Sequence, residues 1–249
     1  MKFIVFSGTA EGRSLSLELA AAGAKVKVCV ASTYGQEQQG KAQGIETLTG
    51  PLSAEQKAAL LKGAALCVDA THPYATHITQ SLREACEASD VRYVRLQREE
   101  SRAENALWME NASEAAAFLA GREGNILLTT GAKELSAFSA ISPQRLFPRV
   151  LPSHESLSAC EAAGIPHRNI IAMQGPFTCE MNEAILRQFS VSWLVTKDGG
   201  PTGGFPEKAE AAKKTGVTLI VLRRPQDCGM SYAEVLALCL ELLHNESLH

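Results

Sequence analysis

Short apolar runs alternate along this chain with longer stretches whose apolar positions recur at helical spacing. In a parallel α/β fold strands and helices take turns in this way. In the first half the runs predict strands at Lys2–Ser7, Lys25–Val30, Gly44–Thr47, Leu66–Ala70 and Arg92–Leu96, with helices over Glu11–Ala22, Ser53–Lys62 and Ala75–Ala88. Ser53 followed by Gln56 has the form of a capping box. The polar run "QREESR", residues 97–102, then interrupts the pattern, and a strand at Leu107–Met109 and a helix from Ser113 follow it. From Asn125 the alternation resumes. Strands are expected at Asn125–Thr130, Leu146–Leu151, Ile170–Met173, Trp193–Thr196 and Thr218–Leu222. Helices are expected over Lys133–Ala140, His154–Ala163, Cys179–Phe189, Pro206–Lys214 and Ser231–His244. The pattern predicts two doubly wound, Rossmann-like parallel-sheet domains, 1–97 and 125–249, with 98–124 connecting them and a cleft between them.

The chain has 249 residues, enough for two cores, and its 45% hydrophobic and 20% charged content is ordinary for a globular enzyme. A net charge of −3 gives no basic surplus for nucleic acid. No apolar run reaches the ~18 residues that span a bilayer, and the N-terminal apolar run ends in a glycine turn, as a strand does and a signal peptide does not. The expectation is a cytoplasmic protein without membrane or nucleic-acid partners; the sequence is silent on oligomeric state. Seven cysteines, Cys29, Cys67, Cys86, Cys160, Cys179, Cys228 and Cys239, stand singly with no C-x-x-C pair, which suggests reduced and mostly buried thiols. His72 and His77 are five apart, do not share a helix face and have no nearby Cys, so no metal site is expected.

In open α/β sheets chemistry collects beyond the carboxyl ends of the strands. After the first strand stands "SGTAEGR", in which Gly8 permits close approach or a positive φ and the helix that follows offers free N–H groups to a phosphate. Its spacing is not G-x-G-x-x-G, so a plain strand-to-helix turn is the competing reading. Glu11 is awkward beside a phosphate but suits the positive end of a helix. "VASTYG" after the second strand lacks the acidic residue that holds an NAD ribose, and Ser32 and Thr33 suit a 2′-phosphate or simply end the strand. "DATHPYATHI" gathers Asp69, Thr71, His72 and Tyr74, where His72 can be a general acid or an orienting group; His77 falls within the helix. In the second half "TTGAKEL", "AMQGPF" and "VTKDGGPTGGFPEK" stand at strand ends. The third, rich in glycine, has the character of a loop that closes over a ligand or of a long surface turn.

Taken together, "GTAEGR", "VDATHPYA", "LLTTGAKEL", "AMQGPF" and "VTKDGGPTGGFPEK", in this order and nearly end to end, resemble the precorrin-6A reductase family of cobalamin biosynthesis, the cobalt-precorrin-6A reductases included. Ser7 stands where that family commonly has glycine, and Gly199 where it has serine. The resemblance implies hydride reduction of one double bond of a corrin precursor by NADPH or NADH. The first domain would then hold the cofactor, through Gly8, Thr9, Ala10, Glu11 and Gly12, with Ser32, Thr33, Thr71 and His72 beside them. His72, Tyr74 or water would deliver the proton, and the sequence does not choose among them. The substrate carries many carboxylates, which Lys133, Arg149, Lys197 and Lys208 would clamp; Gln174, Asp198, Gly203 and Gly204 complete the expected substrate side. Two alternatives are a nucleotide-sugar transferase, which would bind a sugar nucleotide, and a non-enzymatic NADP(H) sensor, which would bind cofactor and turn over no tetrapyrrole.

Overall fold

The computed structural model describes residues 1–98, 101, 103–200 and 203–246. Glu99, Glu100 and Arg102 of the "QREESR" run, and Pro201 and Thr202 of the glycine-rich loop, lie outside them. In chain order the elements are β1 (Lys2–Phe6), α1 (Ala10–Ala21), β2 (Lys25–Val30), α2 (Thr33–Gln39), β3 (Ile45–Thr49), α3 (Ala54–Leu61), β4 (Leu66–Asp69), α4 (Thr76–Ala88) and β5 (Tyr93–Arg95). There follow β6 (Leu107–Met109), α5 (Ala112–Ala120), β7 (Asn125–Leu128), β8 (Leu146–Val150), α6 (His154–Ala162), β9 (Ile171–Ala172), α7 (Cys179–Gln188), β10 (Val191–Lys197), α8 (Phe205–Thr215), β11 (Thr218–Leu222) and α9 (Tyr232–Glu246). Where a helix is expected over Lys133–Ala140, residues Ala132–Phe138 form a 3₁₀ helix.

Two parallel α/β sheets result, one in each of two compact units. The first unit is residues 1–99 with 225–249, and its sheet runs β3-β2-β1-β4-β5. Strand alternation sends successive side chains to opposite faces. Phe3 and Val5 join Leu15 and Leu19 of α1 and Val235 and Cys239 of α9 in one core cluster. Ile4 and Phe6 join Leu61 of α3 and Leu82 and Cys86 of α4 in another. The second unit is residues 100–224, with a sheet ordered β6-β11-β10-β7-β8-β9. Ile126 and Leu128 pack with Leu119 of α5 and Cys160 of α6, while Leu127 and Phe147 pack with Ile185 of α7 and Phe205 and Ala211 of α8.

These units differ from the expected boundaries at both ends. The segment 98–124 is no mere connector, because Leu107–Met109 pairs with β11 as an edge strand and α5 covers its sheet. The C-terminal helix, expected in the second domain, returns to the first, where its apolar side covers the sheet face that α1 leaves open. The return is fixed by a parallel bridge between Leu96 and Met230, by the Gln97 N–H donating to the Met230 carbonyl at 2.8 Å, and by Gly229, whose added Cβ would lie 2.7 Å from the Arg95 carbonyl.

Candidate functional site

In the first unit the strand order reverses between β1 and β4, and the loops after those strands meet at that point. Gly8 has φ +147°, and a Cβ built on it meets nothing within 4 Å, so its backbone faces open space. Thr9 is the N-cap of α1: its hydroxyl accepts from the Gly12 N–H at 3.1 Å and donates to the Ala70 carbonyl at 2.9 Å, tying the two loops together. Ala10, the first helical residue, keeps an N–H with no intrahelical acceptor. Gly12 has a packing role, since its added Cβ would lie 2.7 Å from Ser7 Oγ and 2.9 Å from Ala70 Cβ. Glu11 is not alone at this helix end. Arg98, its side chain only 7% exposed, pairs with it at 2.7 Å and neutralises it. These are the features of a loop that a phosphate can approach, and Arg98, missed among the polar residues of "QREESR", brings a cation to it.

Ser32 caps α2 by accepting from the Gly35 N–H at 3.2 Å, and Thr33 opens that helix; both are exposed at the end of β2. Behind the "THPY" loop, Asp69 is fully buried and saturated with donors. Thr71 N–H and Oγ1, Thr79 Oγ1, Tyr93 Oη and Arg95 Nη1 reach it at 2.6–3.0 Å. Burial, with Asp69 beside it, pushes the Tyr93 hydroxyl well above its usual range, so it remains a donor. Arg95 also pairs with Asp227 at 3.2 Å, and Asp227 with Arg83. This network holds Thr71 and thereby the turn that displays His72 and Tyr74. Their rings lie 5.5 Å apart, and the Tyr74 N–H donates to His72 Nδ1 at 3.4 Å. His77 is exposed on α4.

The second sheet reverses its order between β7 and β10. Here the structure separates the expected substrate-side residues. Lys197 Nζ is engaged by Glu134 at 2.8 Å, while Lys133 and Gln174 are exposed. Asp198, 2% exposed, accepts from Arg224 at 2.8 Å and from the N–H groups of Gly200 and Ser101. Burial works to raise its carboxyl, but the bonds from Ser101, Arg224 and Gly200 prevail and hold it below the usual range. Asp198 therefore anchors the start of the glycine-rich loop. A Cβ at Gly199 would lie 3.3 Å from the Gly203 carbonyl, a tight contact that the loop would have to ease by a few tenths of an ångström. Gly204 closes the loop in the left-handed region at φ +70° and stands at the N-cap of α8 without a side-chain cap.

Arg149 and Lys208 are the two expected cations that the structure buries, each 8% exposed. Arg149 Nη1 donates to Asn182 Oδ1 at 2.8 Å, and its guanidinium lies 4.0 Å from the centre of the Phe177 ring. Burial brings its pKa down to about 10. Burial, and then the neighbouring Arg149, bring Lys208 down to about 8.

Among the described residues, no helix is long and apolar enough to cross a membrane. The family model for Precorrin-6x reductase CbiJ/CobK matches residues 2–240. A cobalt-precorrin-6A reductase of Priestia megaterium is 31% identical, with 97% of this chain and 96% of that protein aligned. One from Methanothermobacter thermautotrophicus is 33% identical over 91% of this chain and 77% of its own, and one from Salmonella typhimurium is 33% identical over 89% and 87%. The solved structure of a CobK precorrin-6A reductase has the same fold, with a TM-score of 0.77 at 22% identity over 97% of both chains. A match that runs through both units shows that this chain belongs to the Precorrin-6x reductase CbiJ/CobK family.

Proposed function

We propose that the protein is an NAD(P)H-dependent oxidoreductase that reduces one carbon–carbon double bond of precorrin-6A or its cobalt-containing form in cobalamin biosynthesis. The observation that carries this reading is the family match over residues 2–240. A transferase or a sensing module finds no support in a family of reductases. The three relatives named above, each about a third identical, are cobalt-precorrin-6A reductases, which favours the cobalt-containing substrate.

On this reading both sheets are doubly wound, and the first carries the cofactor at its order reversal. The residues there fit a dinucleotide: the open Gly8 backbone and the α1 N-terminus suit a diphosphate, and Arg98 offsets Glu11. Ser32 and Thr33 suit the adenosine ribose, and the absence of an acid after β2 leans towards NADPH. When bound, the nicotinamide supplies the hydride. The protein's part is to orient the reactants, exclude water and bring a proton to the neighbouring carbon. His72 or Tyr74, on the turn that Asp69 and Thr71 hold, or a water there, would give that proton. The second unit supplies cations for the substrate's carboxylates.

The test is anaerobic incubation with enzymatically prepared precorrin-6A, with and without cobalt, while NADPH or NADH absorbance is followed. Oxidation that depends on the tetrapyrrole supports the proposal, with NADPH and the cobalt form expected to react faster. No oxidation in any of the four combinations overturns it.

A further inference from the structure

We infer that Arg149 and Lys208 form one buried seat for a single carboxylate of the substrate's rim. The inference rests on the reading of the second unit as the substrate side and narrows it from a group of scattered cations to one pair.

The geometry starts from strand parity. Arg149 is two residues from Phe147 on β8 and points to the same face of the sheet. Phe147 belongs to the core cluster that holds Phe205, Ala211 and Ala212 of α8. Arg149 therefore sits at the carboxyl end of the sheet face that α8 covers, and Lys208 stands in the opening turns of that helix. The guanidinium is aimed before any ligand comes. Asn182 Nδ2 donates to the Thr178 carbonyl at 2.8 Å, which turns Asn182 Oδ1 to Arg149, and the Phe177 ring supports the guanidinium plane.

Neither cation has an anion to itself. Among the described residues Arg149 forms no ion pair, and Lys208 forms neither an ion pair nor a hydrogen bond. The charged groups that face Lys208 are Arg149 from β8, Asp198 at the end of β10 and Glu207 of its own helix. Asp198 is already committed to Arg224, Gly200 and Ser101. Glu207 Oε2 lies 3.9 Å from a Cβ built on Gly204, turned back over the first turn of α8, and makes no hydrogen bond there. Two cations buried on one sheet face, near enough for Arg149 to bear on Lys208, are costly unless an anion completes them. A carboxylate can take a hydrogen bond on each oxygen, one from the guanidinium and one from the ammonium.

The proton follows from the same arrangement. Burial and Arg149 hold Lys208 to a pKa of about 8, and an arriving carboxylate favours its charged form. Binding near pH 8 should then draw in about half a proton.

The experiment measures substrate binding by the full-length protein from pH 6.5 to 9.5, following the tetrapyrrole's own absorbance so that turnover is not required. It is paired with calorimetry in two buffers of different ionisation heat. Wild type should weaken about tenfold per pH unit above 8 and show proton uptake at pH 8. Lys208→Arg should bind without that inflection and without the uptake, while Lys208→Met should bind at least tenfold more weakly at every pH below 8. Uptake and inflection that persist in Lys208→Arg, or a folded Lys208→Met that binds like wild type, overturn the seat. If Lys208→Met does not fold, the arginine variant and the proton count still decide. Wild type that binds the tetrapyrrole but never oxidises NAD(P)H would overturn the reductase reading and leave the seat to be judged on binding alone.

Discussion

Lys208 shows, at the level of one residue, how a buried cation costs a fold stability. Burial, and then the neighbouring Arg149, bring its pKa from the ordinary 10.5 of an unfolded chain down to about 8. Between those values the unfolded chain holds more protons, so stability rises with pH across that interval, and below pH 8 the full penalty of a buried, unpaired ammonium is present. Lys208→Met should therefore make the ligand-free protein more stable below pH 8, by about 1–3 kcal/mol, and the gain should vanish above pH 10. Urea denaturation at pH 7 and pH 10 measures it, and a variant that is less stable at pH 7 would show that the ammonium has a partner. Asp69 is the opposite case. It is as deeply buried, but its donors satisfy it, so it fixes the 71–74 turn without storing an unpaired charge.

At the scale of elements, what the sequence shows follows from periodicity. Lys25–Val30, Leu107–Met109 and Thr218–Leu222 were legible to the residue, because apolar runs with turn signals on both sides have few other readings. The Ser53–Gln56 capping box is formed as expected. The helix Thr33–Gln39 was not legible: "TYGQEQQ" has no apolar stripe, and Gln39 is its one buried residue. Residues 132–138 carry a helical pattern but wind more tightly, as short pieces often do. The site divides in the same way. Motifs local in sequence, such as "GTAEGR" and "DATHPY", pointed to the strand ends, whereas Arg98 with Glu11, and Arg95 with Asp227, meet only through space. No spacing rule announces such pairs. Likewise, nothing along the chain separated Arg149 and Lys208 from Lys197, which Glu134 occupies. The strand-to-helix turn at Gly12 supplies a test at this scale. Gly12→Ala would press a methyl onto Ser7 and Ala70 and should destabilise the first unit by about 1–3 kcal/mol. Thermal melting measures this, and an unchanged midpoint would mean that the turn has slack.

At the scale of the molecule, the chain leaves its first unit, builds the second and returns. The apolar stripe of residues 231–244 showed that a helix forms there and is buried on one side, but a stripe does not say which sheet it covers. The structure places Val235 and Cys239 of α9 against the first sheet, so that unit is complete only when the C-terminal segment has come back. A chain truncated after Arg224 should lose the cooperative melting of the first unit and with it NADPH binding, while residues 100–224 retain a transition of their own. NADPH binding that survives truncation would show that α9 is dispensable.

Everything above converges on one event, the movement of a hydride by this two-unit protein from a nicotinamide nucleotide to a corrin precursor. The most direct measurement is a single anaerobic turnover of cobalt-precorrin-6A with NADPH deuterated at the transferable position, read by mass spectrometry of the tetrapyrrole. The expected product is a reduced ring that carries one deuterium from the cofactor. A reduced ring without deuterium from either face of the nicotinamide, or no reduction at all, would contradict it.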